Sequence, residues 1–171
     1  MTDFLSYIRD VPDFPKPGIA FKDITPLLQS KSAFRDAIEV LRANYQPKEV
    51  DVVVGIDARG FILGGALAHQ LGVGFVPVRK SGKLPYHTYE AEYDLEYGTD
   101  TLAIHQDAFV PGSRVLICDD VIATGGTIAA TIELVEKLQA EVIGIGVLIE
   151  LTFLNGREKF EGHDIFSLIE F

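Results

Sequence analysis

With 171 residues, 47% of them hydrophobic and 23% charged, the chain is long enough for one domain with a sizeable core and too ordinary in composition to be disordered or fibrous. A net charge of −10 argues against nucleic acid as the main partner, and no run of about 18 apolar residues is present to span a membrane. The first residues, Met1 to Tyr7, lack the basic and apolar regions of a secretory signal, and the single cysteine, Cys118, forms no internal disulfide, so a reducing cytoplasm is the expected setting.

Apolar residues at Phe4, Tyr7, Ile8 and Val11 predict a short helix over 4–11, with Asp3 as its cap. Three prolines and a glycine follow between Pro12 and Gly18, and the poorly alternating stretch from Ile19 to Leu28 reads as an irregular loop. A stripe of Phe34, Ala37, Ile38, Leu41 and Tyr45 predicts a helix over 32–45, capped by Ser30 or Ser32. A buried strand over 51–56 then leads through Asp57-Ala-Arg-Gly-Phe61 into an apolar helix over 62–71. Gly64 and Gly65 inside that helix cost stability relative to alanine, which points to close packing against the sheet or a second subunit. A third strand over 74–78 runs into Arg79-Lys-Ser-Gly-Lys83, the densest positive cluster in this acidic chain. Residues 84–98 are polar and aromatic without a clear period, as in a long loop that serves as a lid. A strand over 101–105 closes this region.

The stretch from Val115 to Thr127 carries the most chemistry. Four apolar residues, Val115 to Cys118, form a buried strand, and Asp119 and Asp120 follow where it would emerge. Ala123-Thr-Gly-Gly-Thr127 then runs into a helix through Ile128, Ile132, Val135 and Leu138. Unpaired N–H groups and the positive dipole end make such a helix start attract phosphate, and the glycines let the backbone approach the ligand closely. Paired carboxylates at a strand's carboxyl end suit sugar hydroxyls or a water-shelled Mg²⁺. No Gly-Lys-Ser/Thr and no Gly-x-Gly-x-x-Gly is present, so neither the Walker A loop nor the dinucleotide fingerprint applies. Strands over 142–149 and 165–169 complete the pattern; the Gly144-x-Gly146 spacing lies mid-strand and is no phosphate loop. The four histidines, His69, His87, His105 and His163, show no metal-ligand spacing. Apolar strands alternating with helices predict an α/β fold, a parallel sheet with helices on both faces, and ligand binding at the strands' carboxyl ends. Asp57–Arg59, Arg79–Lys83 and Asp119–Thr127 all fall there.

The block from Val115 to Thr127 resembles the 5-phosphoribosyl-1-pyrophosphate (PRPP) signature of type I phosphoribosyltransferases. Phe14-Pro-Lys-Pro-Gly-Ile-Ala-Phe-Lys-Asp-Ile-Thr-Pro-Leu27, Arg59-Gly-Phe61 and Leu95-Glu-Tyr-Gly98 are similar to segments of the adenine phosphoribosyltransferase branch. The resemblance runs from Phe14 to Lys159 and implies one phosphoribosyltransferase domain over 1–171, with a small N-terminal hood over 1–30 and a flexible catalytic loop over 79–100. It implies that adenine and PRPP give AMP and pyrophosphate, in purine salvage, with Mg²⁺ as cofactor and no membrane or nucleic acid involved. By the same resemblance Ala123, Thr124, Gly125, Gly126 and Thr127 hold the 5′-phosphate. Asp119 and Asp120 face the ribose hydroxyls and meet the metal indirectly. Arg59, Arg79 and Lys83 meet the pyrophosphate, and Glu96, with Tyr97 beside it, handles a purine proton. Ala20 and Lys22 offer main-chain groups to the adenine edge, Phe21 stacks on the base, and Leu151 closes the far side of its pocket. A homodimer is implied, with one subunit's 79–83 segment reaching the other's site.

Three rivals follow from the same residues. A phosphoribosyltransferase for a 6-oxopurine would want a donor facing O6, and one for orotate would want extra cations; the main-chain hood argues against both. A regulatory PRPP-sensing module would carry a nucleic-acid-binding face, which this acidic chain lacks. A PRPP-making enzyme would carry a second, nucleotide-binding half.

Overall fold

The computed structural model describes residues 2–45, 49–94 and 98–171. Its contacts cluster into two compact units, residues 1–40 and 41–171.

In the first unit the helix expected over 4–11 is a single 3-10 turn, Phe4–Tyr7, and Asp3 makes no side-chain cap bond. Eight uncapped residues are too few to hold a helix in water. The chain instead extends into β1, Arg9–Val11, which pairs antiparallel with β2, Phe21–Asp23. The proline-rich segment between them is a closed turn. The Phe14 N–H donates to Ile19 O at 3.2 Å, the Gly18 N–H donates to Asp13 Oδ1 at 2.8 Å, and the Phe14 ring meets Phe21 edge-on at 5.2 Å. The irregular loop expected over 19–28 is therefore β2 followed by α1, Thr25–Gln29, with Pro26 in its first turn. The Asp23 carboxylate starts α1 by accepting the Thr25 N–H at 2.9 Å and its hydroxyl at 2.8 Å. α2 spans Lys31–Tyr45, and the Ser30 hydroxyl accepts the Ala33 N–H at its start.

The second unit holds a mixed sheet. Its strands among the described residues are β3 (Val52–Ile56), β4 (Gly74–Lys80), β5 (Thr88–Asp94), β6 (Thr99–His105), β7 (Arg114–Ile122), β8 (Glu141–Glu150) and β9 (Ile165–Glu170). Their order is β5-β6-β4-β3-β7-β8-β9. The run from β4 to β9 is parallel, and β6 and β5 add an antiparallel hairpin at one edge. Of the long loop expected over 84–98, Thr88–Asp94 is instead a strand that pairs residue by residue with β6.

Alternate residues of a strand face opposite sides, and the central strands bury both. On β7, Val115 and Ile117 join the core under α4 (Gly126–Lys137), with Ile128, Ile132, Leu134 and Val135 from the helix. Cys118 points the other way, toward α3 (Arg59–Leu71). There Gly64 lies so close to the sheet that a Cβ on it would stand 3.1 Å from the Phe75 ring and 3.3 Å from the Gly55 Cα. Gly65 faces open space. The C-terminal end of α2 occupies the same face: the Tyr45 ring lies against Gly144 and Gly146, and its hydroxyl donates to Ile145 O at 2.7 Å. Full burial of each such large side chain stabilises by roughly 1.5–3 kcal/mol. Because β3, β4, β7 and β8 run parallel, the segments after Ile56, Lys80, Ile122 and Glu150 all emerge at one edge of the sheet.

Candidate active site

At that edge a cavity of about 170 Å³ is lined by Arg59, Asp119, Asp120, Val121, Ala123, Thr124, Gly125, Thr127 and Ile128. The turn from β7 into α4 shapes it. Gly125 takes φ +79°, a left-handed conformation that costs a residue without a Cβ nothing, and α4 starts at Gly126. The first-turn N–H groups of α4 have no partner within the helix and carry its positive dipole end. Thr124 and Thr127 line the same wall. Gly126 turns away from the cavity; a Cβ there would meet Asp94 O at 3.1 Å and the Tyr93 ring at 3.3 Å. A larger cavity, about 770 Å³, lies at the opposite end of the sheet, beside Arg114 and Glu141 at the starts of β7 and β8. It has no glycine loop and no helix N-terminus, so the smaller cavity is the candidate site.

The acidic pair does not emerge from the strand as expected. β7 continues through Ile122 because β8 keeps pairing with it, Asp119 opposite Val147 and Val121 opposite Ile149. Both carboxylates are therefore buried, Asp119 8% and Asp120 5% exposed. Asp119 Oδ1 accepts the Asp120 N–H at 2.9 Å. Burial, and then the Asp120 charge, push the Asp119 carboxyl well above the usual carboxylate range. Burial also raises Asp120, against the opposing pull of the Arg59 guanidinium. Arg59 Nε stands 3.0 Å from Asp120 Oδ2, yet that oxygen has no aligned hydrogen-bond donor among the described residues. It is paired in charge and unsatisfied in direction, although protein covers it. Behind the pair, burial pushes the Cys118 thiol up and keeps it an inert hydrophobe.

Asp57 accepts Arg79 Nε at 2.9 Å. Arg79 also donates from Nη1 to Lys83 O at 3.2 Å and lies over the Phe61 ring, 5.9 Å from its centre. Lys80 pairs with Asp100 at 2.7 Å. Neither Arg79 nor Lys83 is among the residues lining the cavity.

Residues 21–168 match the family model described as the phosphoribosyl transferase domain. The adenine phosphoribosyltransferase of Symbiobacterium thermophilum is 57% identical over 169 residues, 99% of this chain and 99% of that protein. The chain belongs to the adenine phosphoribosyltransferase family. The crystal structure of adenine phosphoribosyltransferase from Thermoanaerobacter pseudethanolicus superposes with a TM-score of 0.96 at 54% identity, covering 99% of this chain and 98% of that one. That of the Giardia lamblia enzyme complexed with 9-deazaadenine superposes with a TM-score of 0.94 at 42% identity, over 99% and 96%.

Of the residues expected to serve an adenine phosphoribosyltransferase, the structure brings Arg59, Asp119, Asp120, Ala123, Thr124, Gly125 and Thr127 to one cavity. Leu151 follows β8 half-buried, its N–H donating to Ile122 O at 2.9 Å at the end of β7. In the N-terminal unit Ala20 is exposed, Phe21 is half-buried and begins β2, and the Lys22 ammonium pairs with Asp10 at 2.5 Å. Glu96 and Tyr97 lie outside the described residues. Sequence reasoning missed the support behind the glycine loop. Gly156 and the Phe160 ring approach Gly125 within the space a Cβ would need. The Asn155-Gly156 pair, a turn signal, was the available hint.

Proposed function

We infer that the chain converts adenine and PRPP to AMP and pyrophosphate, the reaction of purine salvage, with the phosphoribosyl group held at the cavity below β7 and α4. The observation that carries this reading is the meeting, at one cavity, of a glycine-threonine turn at a helix N-terminus with two buried carboxylates and a guanidinium. The N–H groups and hydroxyls of Ala123 to Thr127 take the 5′-phosphate, which fixes the ribose carbon for attack. Asp119 and Asp120 accept the ribose hydroxyls at the cavity they line. The ring carbon becomes oxocarbenium-like as pyrophosphate departs, and a buried negative pair beside the sugar favours that charge.

Arg59 forks onto the leaving pyrophosphate. Arg79 and Lys83 act on the same group, and their position outside their own chain's cavity fits a homodimer in which this segment serves the partner's site. Glu96 moves a purine proton, with Tyr97 beside it. Phe21 stacks on adenine, the main-chain groups of Ala20 and Lys22 read its edge, and Leu151 packs against the base. A reducing cytoplasm suits the buried free thiol of Cys118.

Mg²⁺ fits the donor set as an ion only partly held by protein. No cluster of three or more His, Cys, Asp or Glu able to hold a metal occurs among the described residues, and Mg²⁺ keeps waters and substrate oxygens in its octahedron. Asp119 and Asp120 would hold it through water or ribose hydroxyls, where it would neutralise charge growing on the pyrophosphate.

The test is pyrophosphate release from PRPP and Mg²⁺ with adenine, hypoxanthine, guanine and orotate offered separately. Turnover with adenine alone supports the reading. Turnover with a 6-oxopurine overturns the base assignment, and tight PRPP binding without turnover on any base makes the chain a PRPP sensor. Sedimentation velocity decides the dimer.

A further inference from the structure

We propose that Gly156 is a positioning residue for the phosphate cradle: its missing side chain sets the depth at which the Ala123–Gly125 backbone lies. This rests on the assignment of the 5′-phosphate to Ala123–Thr127.

A Cβ on Gly156 would stand 2.2 Å from Ala123 O, 2.9 Å from Gly125 N and 3.0 Å from Ile122 Cγ2. The reverse view agrees, since a Cβ on Gly125 would stand 2.3 Å from Gly156 O and 2.9 Å from Phe160 Cε1. Two backbones are thus in direct contact, with no flexible side-chain end to give way. Ala123 and Gly125 line the cavity and Gly156 and Phe160 do not, so the contact is made from behind the loop.

The support is itself fixed. Gly156 opens a 3-10 segment, Gly156–Phe160, entered through Asn155 in a left-handed conformation. Arg157, the next residue, forks onto the Glu150 carboxylate, with Nε 2.8 Å from Oε1 and Nη2 on Oε2. Ser167 on β9 donates to the same carboxylate. Phe160 ends the segment inside the core, 4% exposed. A methyl group at position 156 therefore moves the loop rather than the support. The loop has somewhere to go, because its other side is the cavity. A shift of about 1 Å in donors that must reach phosphate oxygens costs of order 10²-fold in a positioned reaction.

The experiment measures binding of ribose 5-phosphate and of inorganic pyrophosphate to the full chain by calorimetry, for wild type, Gly156→Ala, Phe160→Leu and Thr127→Ala. Gly156→Ala weakens ribose 5-phosphate by about tenfold or more, leaves pyrophosphate within about twofold, and raises KM for PRPP more than that for adenine. Phe160→Leu, which takes the ring from beneath Gly125 without adding bulk, gives the same selective loss in smaller measure and carries the test if Gly156→Ala does not fold. Equal weakening of both ligands means general damage and overturns the proposal, as does unchanged affinity for ribose 5-phosphate. Thr127→Ala separates the two layers. If it leaves ribose 5-phosphate binding intact, the cradle assignment falls; if it weakens binding while Gly156→Ala and Phe160→Leu do not, only the positioning role falls.

Discussion

Arg59 and Asp120 stand 3.0 Å apart, Nε to Oδ2, across the carboxyl ends of two adjacent parallel strands. The cation has two tasks there: it opposes the rise that burial imposes on Asp120, and it lines the cavity. Arg59→Ala is expected to lower kcat/KM for PRPP by about 10²–10³-fold. It should also lower the melting temperature more at about pH 8 than at about pH 5, because only the ionised Asp120 is left as an uncompensated buried charge. Equal losses at both pH values would contradict the pairing.

Asp119 sets stability against activity. Its carboxyl is raised in the folded protein by burial and by Asp120. That raised value favours folding below the unfolded-chain pKa of about 3.9, and the contribution is lost as pH climbs through the folded value. Wherever the group is ionised in the folded protein, it costs stability. Asp119→Asn keeps an oxygen to accept the Asp120 N–H and removes the charge. Urea denaturation at about pH 8 should show a higher midpoint than wild type while turnover collapses; a lower midpoint would falsify this account.

Glu150 has the opposite sign. Hydrogen bonds from Arg157 and Ser167 outweigh burial and hold its carboxyl below the usual range. The ionised form then adds stability above the unfolded-chain value of about 4.3, lost as pH falls through the lower folded value. Glu150→Gln is expected to cost about 1–3 kcal/mol near pH 7, the worth of hydrogen bonds to a charged group. The difference from wild type should shrink on acidification below about pH 4, and a pH-independent difference would refute the assignment.

Neighbouring glycines in α3 should respond oppositely to alanine. Gly64→Ala forces a methyl onto Phe75 and the Gly55 backbone and should destabilise by about 1–3 kcal/mol. Gly65→Ala enters open space and should stabilise by about 0.5–1 kcal/mol through helix propensity alone. Denaturant midpoints of the two variants check this; like-signed shifts would show that the helix surface is packed otherwise.

Much of the fold was legible because the parallel strands are buried on both faces and read as continuous apolar runs. The signature turn was legible because glycine, threonine and paired acids together have few structural alternatives. Strand β5 was missed, while β6 beside it was expected, although Tyr89, Ala91 and Tyr93 alternate with polar neighbours; an edge strand built on tyrosines and one alanine carries a weak apolar signal. β1 and β2 are three residues each, too short for any period to show. The partners of Asp57 and Arg59 could not be foreseen. The pairs Asp57–Arg79 and Arg59–Asp120 depend on which strands lie side by side, which adjacency along the chain does not reveal. The acidic pair's burial had the same origin, a neighbouring strand that runs on to Glu150.

The Tyr45 ring fills the notch left by Gly144 and Gly146, where a Cβ would come within 2.5 Å and 3.0 Å of ring carbons. None of these three positions can change alone. A smaller residue at 45 opens a void under β8, and a larger one at 144 or 146 evicts the ring, so each first step is uphill. Across the lineage these sites are bound into one unit of descent: homologues should keep the tyrosine with both glycines or have exchanged them together. An aligned set of relatives would display that linkage as correlated replacement between positions about 100 residues apart, a distance at which nothing but contact in the folded state connects them.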